Sequence, residues 1–293
     1  MRILITGVSG LVGHELWPLL ESQHELWAAG RTKSELVPSN RWRALDITDA
    51  EATDRCVAQI NPDCLIHLAA ISSPDTCERD PDSGYKFNSL GTRNLALASQ
   101  RFDTEMLYMS TDQVFNGQKK SPYTELDAVE SVNHYGRSKI WAEQFVQTLL
   151  RRFYIVRPSL VFGAKRPTFI DQVARAAKNQ EKILAATDLV NSSTHARDLS
   201  AAISYLLDRH LYGTYHIANE GHCSRYELAC FVADTLGVKN SFIVKSLSQD
   251  LNLPARRPGY TPIENKVWNL NGFPKLRTWQ ESVSSYMGKL IVP

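Results

Sequence analysis

Apolar residues in the first half of the chain come in short unbroken runs: RILIT (2–6), ELWAA (25–29), CLIHLAA (64–70), EMLYMS (105–110) and FYIVR (153–157). Runs of this length without polar alternation read as strands buried on both faces. The stretches between them, near 12–22, 50–60, 84–101 and 134–151, carry helical patterns. Strand and helix in repetition predict an α/β fold, a doubly wound parallel sheet with right-handed crossovers that binds ligands beyond the carboxyl ends of its strands. From about residue 158 the rhythm changes to helices near 169–181, 196–208 and 224–236, separated by DLV, by GTYHIAN and, later, by LPARRPGY. The expected organisation is a first domain over 1–160 and a smaller α/β lobe over 161–293, some of whose segments return to the sheet. No Gly/Ser linker or internal repeat marks the boundary.

With 43% hydrophobic residues over 293 positions, the chain is long enough to bury a sizeable core. Its 33 basic and 31 acidic side chains are mixed along the sequence and leave a formal charge of +2. No basic block exists to neutralise a phosphate backbone, so nucleic acid is not an expected partner. The five cysteines, Cys56, Cys64, Cys77, Cys223 and Cys230, form neither a C-x-x-C pair nor a metal-ligand spacing. They read as reduced, buried thiols of a cytoplasmic protein. No apolar run approaches the ~20 residues that crossing a bilayer needs, so no membrane partner is expected. The eight histidines lack metal spacing, and no metal is expected. His67, within a buried run, reads as a satisfied core residue, while the role of His195 stays open.

Candidate chemistry starts at ITGVSGLVGHEL, which sets Gly7, Gly10 and Gly13 between the first strand and the first helix. Glycines there permit a tight turn and close backbone approach, and the helix N-terminus offers free N–H groups to a pyrophosphate. Ser9, Leu11 and Val12 fall in the same loop. The end of the second strand normally meets the adenosine ribose, where a carboxylate would accept the 2′-hydroxyl. Here the sequence is AAGRTKSE, and Arg31 offers charge-assisted bonds to a 2′-phosphate, which predicts NADPH over NADH. Asp46 and Ile47 are candidates to flank the adenine, Asp49 equally an N-cap for the next helix. Ala69 and Ala70, at the end of the CLIHLAA run, complete the expected cofactor contacts.

Tyr135 and Lys139 stand four residues apart in NHYGRSKIWAEQF, on one face of a helix. A free tyrosine has a pKa of about 10, and bringing it to about 7 takes roughly 4 kcal/mol. An ammonium about 4 Å away supplies on the order of 1 kcal/mol in bulk water and about 4 at an effective dielectric near 20. The pair therefore works only where water is partly excluded. In this reading Lys139 lowers the phenol's pKa and holds the nicotinamide ribose, and Tyr135 donates a proton to a substrate carbonyl. MSTDQVFNG, after the preceding strand, puts Thr111 beside them as a hydroxyl donor to the same oxygen.

These blocks, with NPDCLIHLAA, FNSLGTRNLA, PYTELDAVESVNHYGRSKIWAE, NSSTHARDLSAAI, GTYHIANEGHCSRYELA and PARRPGYTPIENKVWNLNGF, resemble the dTDP-4-dehydrorhamnose reductase family of extended short-chain dehydrogenase/reductases over nearly the full chain. The resemblance implies a Rossmann-type domain holding NADP, a C-terminal sugar-nucleotide lobe, and reduction of a nucleotide-activated 4-keto-6-deoxyhexose. It assigns the catalytic threonine, tyrosine and lysine to Thr111, Tyr135 and Lys139. Two positions depart from the family pattern: a tyrosine facing the sugar is Gln113 here, and a tryptophan is Leu160. In the lobe, Thr194, Arg197 and Asp198 fall in one family block and Arg256 and Arg257 in another, making Arg197 and Arg257 candidate grips for a substrate diphosphate. The resemblance also raises a homodimer. Alternatives are a reductase of a carbonyl compound without a nucleotide, a 4-epimerase, and a non-catalytic NADP-binding subunit like the methionine adenosyltransferase β subunit.

Overall fold

The computed structural model describes residues 1–291, and the last two residues of the expected 161–293 lobe lie outside them. Its central sheet is built from β1 (Arg2–Thr6), β2 (Glu25–Gly30), β3 (Trp42–Ala44), β4 (Cys64–His67), β5 (Glu105–Met109), β6 (Phe153–Arg157) and β7 (Gly213–His216). The strands are parallel, in the order β7-β6-β5-β4-β1-β2-β3. This is the Rossmann-type doubly wound sheet. β3 is an edge strand of three residues with no apolar run, and for that reason the hydrophobic pattern does not announce it.

Side chains alternate across each strand, so every strand feeds two layers. Ile3 and Ile5 enter the layer under α1 (Leu11–Glu21), where they meet Leu16, Trp17 and Leu20. Leu4 enters the opposite layer, under α2 (Ala50–Ile60), α3 (Gly91–Arg101) and α4 (His134–Leu149), with Val57, Ile60, Leu95 and Val146. Asp49 caps α2 by accepting from Ala52 N at 2.9 Å. A further core lies among α5 (Phe169–Asn179), α7 (Arg225–Thr235) and α8 (Trp279–Ile291), with Val173, Leu228, Val232, Val283 and Met287 packed together. Between α5 and α7 in the chain comes α6 (Ala196–Leu207), which covers α1 through Leu199, Ile203 and Leu206. Among the described residues no helix is long and apolar enough to cross a membrane.

Strand order reverses between β1 and β4, which opens a crevice beyond their carboxyl ends. Small strands frame the far side of that crevice: Val161–Phe162 pairs with Thr194–His195, and Val190–Asn191 lies between Cys223–Ser224 and Tyr260–Thr261.

Candidate active site

A cavity of about 450 Å³ fills the crevice from the glycine loop to Tyr135 and Lys139. At its start the loop folds tightly against the segment after β4. Gly7 has φ +81°, and a Cβ there would sit 2.6 Å from Ala69 N. A Cβ on Gly13 would sit 2.5 Å from the Gly7 carbonyl oxygen. The N-cap of α1 is Gly10, with no side chain to bond the first amides, and the first helical bond runs from His14 N to Gly10 O at 3.0 Å. Gly10 N closes the loop turn onto Gly7 O at 3.0 Å, while the amides of Leu11, Val12 and Gly13, which line the cavity, have no intrahelical acceptor. That cradle of tight glycines and unspent N–H groups fits a dinucleotide pyrophosphate.

Gly7, Ser9, Arg31, Ile47, Ala69 and Ala70 line the same cavity. Asp46 does not: its exposed carboxylate accepts from Thr48 N at 2.9 Å and closes the local turn. His67 is a satisfied core residue, between Thr6 Oγ1 at 2.7 Å and Thr92 Oγ1 at 3.0 Å.

Thr111, Tyr135 and Lys139 meet at the other end of the cavity. Asn133 caps α4, its Oδ1 accepting from Gly136 N at 2.8 Å, so Tyr135 sits in the first turn and Lys139 one turn on. Gly136 lets this helix end press against the Thr111 loop, because a Cβ there would overlap the Gln113 carbonyl oxygen and the Ser131 hydroxyl. Both Tyr135 and Lys139 are buried, and the Lys139 ammonium lies 4.3 Å from the centroid of the Tyr108 ring.

Burial pushes the Tyr135 phenol above its ordinary range, with a Thr111 hydrogen bond pulling the other way. Burial brings Lys139 itself down to about 7, against the pull of the Glu143 carboxylate. Glu143, one turn beyond Lys139, is engaged by Arg157 Nε at 2.9 Å, Arg157 Nη2 at 2.6 Å and Ser110 Oγ at 2.5 Å.

Asp112 is the buried node that the motif reading left without a role. Its Oδ2 accepts from Ser159 Oγ at 2.7 Å, Thr261 Oγ1 at 2.8 Å and Asn191 Nδ2 at 3.2 Å. Thr111 Oγ1 donates to its Oδ1 at 3.1 Å, so the hydroxyl expected to serve a substrate carbonyl is engaged here. Burial raises the Asp112 pKa against the pull of these donors.

Gln113 lines both this cavity and a second one of about 230 Å³, where Phe169, Leu189, Asn191, Arg225 and Arg257 also lie. The Gln113 side-chain oxygen accepts from Asn133 Nδ2 at 2.9 Å. Leu160 lines the first cavity with φ +37°, a left-handed backbone that costs a leucine of order 1 kcal/mol or more. Arg257 reaches the second cavity and is paired with Asp75 at 2.8 Å.

Arg197 lines neither cavity and is exposed on α6. Its neighbour Asp198 turns inward to Arg277 Nε at 2.8 Å, and helical geometry sends the adjacent side chain outward. Arg256 is likewise exposed, and only its carbonyl takes part, accepting from Asn133 Nδ2 at 2.9 Å. The cation that sequence reasoning missed is Arg225, at the start of α7. Its guanidinium lies 5.2 Å from the Phe169 ring centroid, without a carboxylate in ion-pair range among the described residues. Burial lowers its pKa to about 10. In sequence it hides inside an ordinary capping box, Ser224 to Glu227.

The chain matches the family model of the RmlD substrate binding domain over residues 1–291. It is 28% identical over 287 residues to the spore coat polysaccharide biosynthesis protein SpsK of Bacillus subtilis, covering 98% of this chain and 96% of that protein. It is 31% identical over 293 residues to dTDP-4-dehydrorhamnose reductase of Mycolicibacterium smegmatis, covering 99% of this chain and 86% of the relative. The crystal structure of dTDP-4-dehydrorhamnose reductase from Bacillus anthracis, solved in complex with NADP, superposes with a TM-score of 0.90 at 31% identity, over 98% of this chain and 99% of that one.

Proposed function

The chain belongs to the RmlD substrate binding domain family, within the extended short-chain dehydrogenase/reductases, and on that premise we propose that it reduces the 4-keto group of a nucleotide-activated 6-deoxyhexose with NADPH. It is an oxidoreductase of that type. The observation that carries the finer reading is that two cavities share Gln113 as a wall, one lined by the glycine cradle and by Thr111, Tyr135 and Lys139, the other by Arg225 and Arg257. In this reading the first domain binds the dinucleotide and the lobe grips the substrate's diphosphate.

The Gly7 to Gly13 loop would hold the pyrophosphate, Arg31 the 2′-phosphate, and Lys139 with Tyr135 the nicotinamide ribose. When bound, the reduced nicotinamide supplies hydride to the carbonyl carbon. Tyr135 donates its proton to the carbonyl oxygen as that oxygen becomes an alkoxide. A phenol whose pKa is raised by burial stays protonated at neutral pH, the state a donor needs. Asp112 holds the Thr111 hydroxyl beside it.

The test is incubation with NADPH and dTDP-, UDP- or GDP-linked 4-keto sugars. A product heavier by two hydrogens, with equimolar NADPH consumption that falls by about 10³ in Tyr135→Phe, supports the reading. Tight NADPH binding without turnover on any carbonyl would give the non-catalytic alternative, and turnover with no net NADPH consumption a 4-epimerase. Gln113 and Leu160 favour a second reading, in which the substrate is a different keto sugar or a carbonyl compound without a nucleotide, since neither residue offers a stacking face.

We also propose that the protein works in the cytoplasm as a homodimer. Leu90 and Leu97, seven residues apart along the helical segment that ends in α3, and Trp141 on α4 are exposed apolar side chains on neighbouring helices. Light scattering of Trp141→Glu checks the assembly, which should become monomeric.

A further inference from the structure

We propose that Phe87 is a specificity-determining positioning residue, whose ring holds the Arg31 guanidinium ready for the 2′-phosphate and so sets the preference for NADPH over NADH. This rests on the cofactor reading above and adds a residue that acts on the phosphate through another.

Arg31 follows β2 directly and is exposed, a setting in which an arginine ordinarily samples many rotamers. Here its guanidinium carbon lies 4.6 Å from the Phe87 ring centroid, within range of a cation–π contact. Among the described residues no carboxylate lies in ion-pair range of Arg31, so its hydrogen-bonding fork is unspent. Both side chains line the first cavity.

Phe87 stands on a rigid support. It belongs to the single π-helical turn Tyr85–Leu90, which leads into α3, and such turns are frequent at functional sites. The next residue, Asn88, is buried and clamps the turn to two neighbouring segments. Its Oδ1 accepts from Ile71 N at 2.8 Å, while its Nδ2 donates to Ile71 O at 3.1 Å and Ser138 Oγ at 3.0 Å. Ser89 Oγ donates to Ser138 O at 2.8 Å, which ties the turn to the helix that carries Tyr135 and Lys139. The ring itself packs against the core layer that contains Ile47.

A competitor explains why Arg31 needs such a shelf. Asp46 lies outside the cavity but within electrostatic reach of Arg31, its carboxyl held below the usual range first by Thr48 N and also by the positive charges of Arg31 and Lys86. Freed from the ring, Arg31 has an exposed carboxylate to turn to, and a dinucleotide phosphate would have to win it back. Held on the ring, it presents its N–H groups at little entropic cost.

The experiment measures dissociation constants for NADPH and NADH by fluorescence or calorimetry, with no sugar substrate. Phe87→Ala and Phe87→Leu should each lower the NADPH-to-NADH affinity ratio about tenfold, equivalent to about 1.4 kcal/mol and within the range of a part-exposed cation–π contact. Phe87→Tyr keeps the ring face and should keep the ratio. Arg31→Ala should lower the ratio further, and adding Phe87→Ala to it should change nothing more. A wild-type ratio in Phe87→Leu would show that apolar bulk alone matters and overturn the proposal, as would equal losses for the two dinucleotides or tighter NADPH binding. A wild-type protein that binds neither dinucleotide would sink the cofactor reading as well, so the two failures are distinguishable.

Discussion

Replacing Lys139 by methionine should make the protein more stable in the absence of cofactor and catalytically incompetent at the same time. The lysine is 2% exposed, and burial takes its pKa from 10.5 to about 7. Its ammonium faces an aromatic ring, and the nearby Glu143 is already shared by Arg157 and Ser110. The distance from 10.5 to about 7, at about 1.36 kcal/mol per pH unit, caps the cost of holding this charge at about 5 kcal/mol, or about 4 at pH 7 where the folded group is half protonated. Methionine fills similar space for under about 1.5 kcal/mol of repacking. A gain of about 1–3 kcal/mol at pH 7 is therefore expected. Between about 7 and 10.5 the unfolded chain binds more protons at this site than the folded one, so wild-type stability rises with pH across that window and the variant's advantage shrinks. Urea unfolding of both proteins at neutral and alkaline pH reads this directly. A variant less stable than wild type at pH 7, or an advantage that does not change with pH, would refute the reasoning.

Gly136→Ala should cost about 3 kcal/mol and most of the activity, since the new methyl collides with the Gln113 backbone and separates Tyr135 from Thr111; thermal melts and turnover check it together. Arg225→Met should raise KM for a nucleotide-linked substrate about 10- to 100-fold while NADPH affinity stays within about twofold, because Arg225 lines only the second cavity. His67 and His216 are both brought from 6.5 to about 3 chiefly by burial, so the unfolded chain takes up their protons first as pH falls. Each should remove about 2 kcal/mol of stability by pH 5, and His216→Gln should flatten that acid limb in urea titrations.

Much of the sheet is legible in the sequence because its central strands are covered on both sides and must be apolar at every position, as Ile3, Leu4 and Ile5 are. β3 escapes because an edge strand of Trp42, Arg43 and Ala44 needs no such run. The glycine loop is legible since its constraint is local: a positive φ at Gly7 and missing side chains at Gly7 and Gly13, within one turn between strand and helix. The grouping of Tyr135 with Lys139 follows from the helical period alone.

What the sequence by itself determined is therefore the alternation of the buried central strands with their helices, the cradle at the first helix, and two side chains one turn apart. Tertiary structure alone decided the surroundings of those groups. Asp112 draws its partners from residues 159, 191 and 261, and Arg225 reaches a cavity whose other walls come from as far away as Gln113 and Pro258. The protonation of Tyr135 and Lys139 belongs to the same class. Their spacing along a helix sets which face they share, but the free energy of a charge depends on how much water the folded chain removes from around it, and that is a sum over neighbours that no local stretch contains.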